Sequence, residues 1–195
     1  ASSLGGLVSV YRAQGNAAKA LMYSEQSLSM LHVVYKGKAH PSIAKTLINL
    51  GLVYSQVQGN HKKALVYFEQ ALSMHQTIYG KKAHPDLAAL LNNLGGMYQA
   101  QGKVDKALIY FEQALSMCQI IHEQKAHPDM TASLINLSDM FQAQGNISGA
   151  LNYLQKAYQI ALETLGSQHF QTIMSMEKLA KLYIKQTFLS IESSA

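Results

Sequence analysis

The sequence has no tryptophan, one cysteine and three prolines among its 195 residues. A single thiol, Cys118, excludes an intramolecular disulfide framework and the cysteine clusters that hold structural zinc. It fits a reducing compartment, and the reading is cytoplasmic. Three prolines leave room for long uninterrupted helices, because proline removes a backbone donor and breaks a helix interior. Charge is also sparse, at 14% of residues against 48% apolar, a balance that suits a packed chain rather than a disordered one. No apolar run reaches the roughly 18 residues of a membrane span and no signal peptide is visible, so no membrane partner is expected. Of sixteen basic residues, Arg12 alone is arginine. A net charge of +5 would suit a nucleic acid, but the forked guanidinium that reads phosphate and guanine is nearly missing, which argues against one.

What the chain does have is a repeat, and repeats decide architecture before any local reading. The turn AQGN at residues 13–16 returns as VQGN at 57–60, AQGK at 100–103 and AQGN at 143–146. EQSLSM at 25–30 returns as EQALSM at 69–74 and 112–117, and KAHP stands at 38–41, 82–85 and 125–128. The period is 43 residues, with one extra residue in the turn of the second repeat. The units run over about residues 1–37, 38–81, 82–124 and 125–167, with a partial, capping segment at 168–195, all within one domain. Ala1 falls inside a repeat, so the expectation is a piece of a longer array.

Each unit reads as two helices. In the third, His84 and Pro85 open the first helix, with proline at a position whose N–H has no helical partner. Asp86 then suits the positive end of the helix dipole. Leu87, Leu91, Leu94 and Tyr98 recur at helical spacing, and Gly102 stops the helix at a tight turn. The second helix carries Ala107, Phe111, Ala114, Cys118 and Ile121 as an apolar stripe.

The order Leu94, Gly95, Tyr98, Gly102, Ala107, Phe111, Ala114 resembles the tetratricopeptide repeats. Leu50, Gly51, Tyr54, Gly59, Ala64, Phe68 and Ala71 match in the second unit. Leu137, Ser138, Phe141, Gly145 and Ala150 match in the fourth, where Leu154 replaces the aromatic. The ordinary repeat has about 34 residues. The longer period, the HP opening and the LxNL core of the first helix are similar to the kinesin light chain variety. The resemblance implies an all-α, right-handed superhelical solenoid of antiparallel hairpins, with the first helices lining a concave side.

The resemblance also places ligand contacts on the exposed stripe of those first helices. The stripe is Lys45, Asn49, Leu52 and Ser55, then Asn92, Asn93, Gly96 and Gln99, then Ile135, Asn136, Asp139 and Gln142. Asn49, Asn93 and Asn136 are equivalent, each immediately before the core Leu, and Gly6 stands there in the first unit. An amide both donates and accepts, so an Asn ladder can hold an extended peptide by its main chain. The bland reading is a consensus Asn bonded to a neighbouring helix. Some relatives clamp a terminal carboxylate with Lys, Asn, Asn, Lys and Arg. Lys45, Asn49 and Asn93 match the first three, but Ala132 and Asn136 carry no charge at the others. The concave stripe holds few cations, which counts against an acidic-peptide groove.

Other chemistry finds no support. His40, His84 and His127 recur once per unit, and packed repeats keep equivalents roughly 10 Å apart, so capping or loop roles are expected rather than a metal site. His75 aligns with Cys118 and Leu31 and should lie near the core. Cys118 reads as a buried, inert thiol. There is no GxGxxG and no GxxxxGK[ST], and no isolated carboxylate pair. Lys36, Lys38, Lys81, Lys82 and Lys125 lie in the links as a solvated edge. The expectation is therefore a non-enzymatic scaffold without cofactor, metal or small-molecule substrate, binding a protein or peptide in its concave groove. The alternative is a sensor or regulatory region of a larger signalling protein, with intramolecular or self-association contacts.

Overall fold

The computed structural model describes residues 2–192. Among these residues it has nine helices and no strand: α1 (Ser2–Ala13), α2 (Ala17–Val34), α3 (Pro41–Gln56), α4 (His61–Tyr79), α5 (Pro85–Ala100), α6 (Val104–Ile121), α7 (Asp129–Ala143), α8 (Ile147–Leu165) and α9 (Phe170–Glu192). Two compact units are distinguished, Ala1–Gln101 and Gly102–Ala195. In the first, α1 packs on α2, α2 on α3, α3 on α4 and α4 on α5. In the second, α6 packs on α7, α7 on α8 and α8 on α9.

The recurring turn has a double job. Its glycine takes the left-handed backbone that stops the first helix, with φ of 69° at Gly15 and 63° at Gly59. Its asparagine then starts the second helix. The side-chain oxygens of Asn16, Asn60 and Asn146 accept the N–H groups of Lys19, Lys63 and Gly149 at 3.2, 3.1 and 2.8 Å. Lys103 holds that position in the remaining turn and makes no such bond. The first helices are capped by histidine instead: Nδ1 of His40, His84 and His127 accepts the N–H two residues on, at 3.1, 3.2 and 3.3 Å. This is the capping role expected of them, and His169 does the same for Gln171.

Small residues let the paired helices close. A Cβ on Gly51 would lie 2.4 Å from the ring of Phe68, a fully buried side chain. Burying such a ring contributes about 1.5–3 kcal/mol, so the absent methyl is part of the packing. In the fourth hairpin Ser138 takes the small position, and its hydroxyl donates to the Ala150 carbonyl at 2.8 Å. Aromatic pairs bridge the hairpin ends: Tyr11 on Tyr23, Tyr54 on Tyr67 and Phe141 against Tyr153, with centroids 5.5, 5.4 and 5.1 Å apart.

Two expected core residues are buried as read. Cys118 is buried, and desolvation, helped by the charge of Asp129, pushes its thiol above the usual cysteine range. His75 is also buried, and neither of its ring nitrogens has a hydrogen-bond partner among the described residues. The last helix, α9, carries Phe188, Leu189 and Ile191 exposed on it.

Candidate functional site

In the first unit the stripe residues lie on α3 and α5, whose apolar sides are occupied by Leu47, Leu50 and Val53 and by Leu87, Leu91 and Leu94. Packing of those leucines inward turns the stripe outward. Lys45 and Gln99 are exposed, and Asn49, Leu52, Ser55, Asn92, Asn93 and Gly96 are half-buried. Lys45 and Asn49 are brought together on the wall of a cavity of about 440 Å³ between α1, α2 and α3. Gly5, Gly6 and Ser9 form its α1 wall, Ser42 and Thr46 continue the α3 wall, and Ser27 and Leu31 close it from α2. The two glycines explain the space: Gly6 stands where the other repeats carry the ladder Asn, and a Cβ at either glycine would meet nothing within 4 Å. The volume falls in the range of ligand pockets, and among the described residues on its wall Lys45 is the one that carries charge.

In the second unit the expected residues lie on α7, and they are less uniform. Ile135 is buried, 6% exposed, so it offers a ligand almost no surface. Asn136 is half-buried, and like Asn92 it is already engaged with another group. Asp139 accepts from the Lys178 ammonium through both carboxylate oxygens at 2.7 Å. Gln142 and Asp139 line a smaller cavity of about 130 Å³ with Lys178, Lys181 and Lys185 of α9.

Sequence reasoning misses those three lysines. The signal is present: Leu179, Ala180 and Tyr183 fix the register of α9, and the residue before its core Leu is Lys178, at the ladder position. Reading the segment as a cap leaves its outward stripe out of account, and the remaining stripe is poor in cations. The structure corrects that for the second unit, where α9 contributes three on one face.

The link between α6 and α7 groups three donors: His122, His127 and Asp129 hold ligand atoms within 4.8 Å of one another. Comparing equivalent histidines across repeats could not reveal this, because the group forms within one link.

Comparison with known proteins agrees with the geometry. The tetratricopeptide repeat family model matches residues 1–77, 42–120 and 129–187. Nearly identical TPR-like repeats of a putative kinesin light chain from Podosopora anserina superpose with a TM-score of 0.77 at 26% identity, covering 99% of this chain and 90% of that one. A substituted form of the same repeats gives 0.78 at 24%, covering 99% and 89%. BtubC (BKLC) from P. vanneervenii gives 0.71 at 27% over 82% of this chain, which spans 62% of that protein. The curated proteins contain no match. The fold is thus an all-α solenoid of helical hairpins of the kinesin light chain-like kind, and no described helix is long and apolar enough to cross a membrane.

Proposed function

The chain belongs to the tetratricopeptide repeat family, and from that premise we propose that it is a non-catalytic scaffold that binds an extended peptide or protein segment on its first-helix stripe. Repeats of this kind are interaction modules, and the fold alone does not name a partner. The observation that carries the reading is the pairing of Lys45 and Asn49 on the wall of the α1–α3 cavity, which offers a cation and an amide side by side. An amide can accept from a peptide N–H and donate to a peptide carbonyl, while the ammonium favours an acidic side chain or terminus. Asn93 on α5 continues the stripe within the same unit. Lys178, Lys181 and Lys185 give the second unit its own preference for acidic groups.

The test is a displayed peptide library panned against the chain, with selected peptides measured by fluorescence polarisation. Asn49→Ala with Asn93→Ala is expected to weaken the selected peptides about tenfold or more while the circular dichroism spectrum is unchanged, since each lost hydrogen bond costs roughly 0.5–1.5 kcal/mol. Unchanged affinity in that folded variant would refute binding through these amides.

A second reading, a regulatory region with self-association contacts, is favoured by α9. Phe170, Phe188 and Ile191 are 71%, 63% and 61% exposed on that helix. Light scattering across a concentration series separates the two: a dimer that Phe188→Ser abolishes supports self-association, and a monomer throughout removes it.

A further inference from the structure

The three links that join one hairpin to the next are built alike, and the third has changed its chemistry. In the first, Tyr35 stacks on the capping His40 with centroids 3.5 Å apart. In the second, Tyr79 stacks on His84 at 4.3 Å. In the third, the tyrosine is replaced by His122, which stacks on His127 at 3.4 Å. The residue two beyond the capping histidine changes as well, from Ser42 to Asp86 to Asp129. His122 Nε2 lies 3.0 Å and His127 Nδ1 lies 3.4 Å from the Asp129 Oδ2 carboxylate oxygen.

We propose that the link between α6 and α7 is a binding site for a borderline divalent transition metal, with Zn²⁺ as the representative ion, held by His122, His127 and Asp129. Imidazole and carboxylate together suit Zn²⁺, Cu²⁺ or Ni²⁺ better than the hard, all-oxygen cations. Metal–ligand bonds of about 2.1 Å place neighbouring donors about 3.0 Å apart at a right angle and about 3.4 Å apart in a tetrahedron; each histidine already stands at such a distance from Asp129, and all three donors lie within 4.8 Å of one another. Three protein donors leave a coordination position open, as in sites that take a water or a further ligand. The site lies at the surface, with His122 and His127 half-buried and Asp129 exposed, so an ion can reach it.

Loading requires one movement. The two rings are parallel within 9°, and lone pairs in parallel planes cannot meet at one ion. His122 is the ring that turns: it follows the last residue of α6, and its side chain is tied to Asp129, its own co-ligand. His127 holds its helix by the longest of the four histidine caps, 3.3 Å, and gives it up most easily if Nδ1 is the donor used. Cys118, one turn before His122, donates to the Asp129 carbonyl at 3.6 Å and anchors the acid's backbone. Its sulfur is engaged with that carbonyl, so it is not counted among the ligands.

The test is calorimetric titration of Zn²⁺ into the untagged, chelator-treated chain, with histidine ring signals followed by NMR. One equivalent is expected to bind saturably, to shift the His122 and His127 signals first, and to raise the melting temperature. His122→Tyr and Asp129→Ser each restore the residue of another repeat, so both are expected to fold. Each should weaken binding about a hundredfold or more, beyond the roughly 10–100-fold of an outer-shell change. His32→Asn, at an exposed histidine elsewhere, should leave it unchanged. No saturable single site, equal affinity in His122→Tyr, or first shifts at other histidines would each overturn the proposal.

Discussion

At the scale of single residues, two positions carry consequences that can be measured. Lys103 sits where Asn16, Asn60 and Asn146 cap their helices, and its side chain makes no cap bond. Restoring the acceptor with Lys103→Asn is expected to stabilise the protein by about 1 kcal/mol, read as a higher midpoint in urea with an unchanged slope. His75 is the second. Burial holds its imidazole below the usual histidine range, the nearby Asp86 charge offsets part of this, and His84 adds slightly to it. A histidine whose folded value lies below its unfolded one binds fewer protons folded than unfolded. Stability is therefore whole above the ordinary value near pH 6.5 and is lost as pH falls through it. His75→Leu, the residue at Leu31 in the first repeat, should flatten that acid loss in melts between pH 7 and 5, and no change in the pH dependence would sink the argument.

At the scale of elements, α9 decides what the last stripe offers. Lys178 spans to Asp139 on α7, but both side chains are about one-third exposed, 35% and 34%, so water screens the pair. Lys178→Asn, which puts the ladder amide there, is therefore expected to cost at most about 1 kcal/mol in thermal melts. Its effect should appear in recognition, as fewer acidic peptides recovered from a library; an unchanged acidic content would show that α9 takes no part. Much of this element is legible in the sequence: Leu179, Ala180 and Tyr183 set its register. That its face meets α7 is not, since such contacts depend on packing and not on period. The same limit explains Ile135, placed on the stripe by counting and buried with Leu134. The hairpins themselves are readable because each local signal agrees with the others: the glycine that ends one helix, the small residue at Gly51, the aromatic at Phe68. The histidine caps are readable too, being repeated, whereas His122 is hidden by departing from the repeat.

At the scale of the whole molecule, composition sets what the surface can attract. Fifteen lysines and one arginine against eleven acidic residues give +5, with no arginine cluster to grip phosphates in pairs. Duplex DNA and RNA are expected to be retained weakly at low salt and released by about 0.15 M, because counterion release is then the whole of the attraction. Retention in a gel-shift assay at that salt would contradict this. Within each unit, helices that pack on their chain neighbours share stability locally, so a weak spot stays where it is. The uncapped turn at Lys103 is such a spot. Its consequence lies in time: the start of α6 lacks the side-chain cap that Asn16, Asn60 and Asn146 supply, and its amides should trade their hydrogens for deuterium minutes before those that open α2, α4 and α8. A clock read along the chain would find α6 starting early, and the residue responsible is one lysine in place of an asparagine.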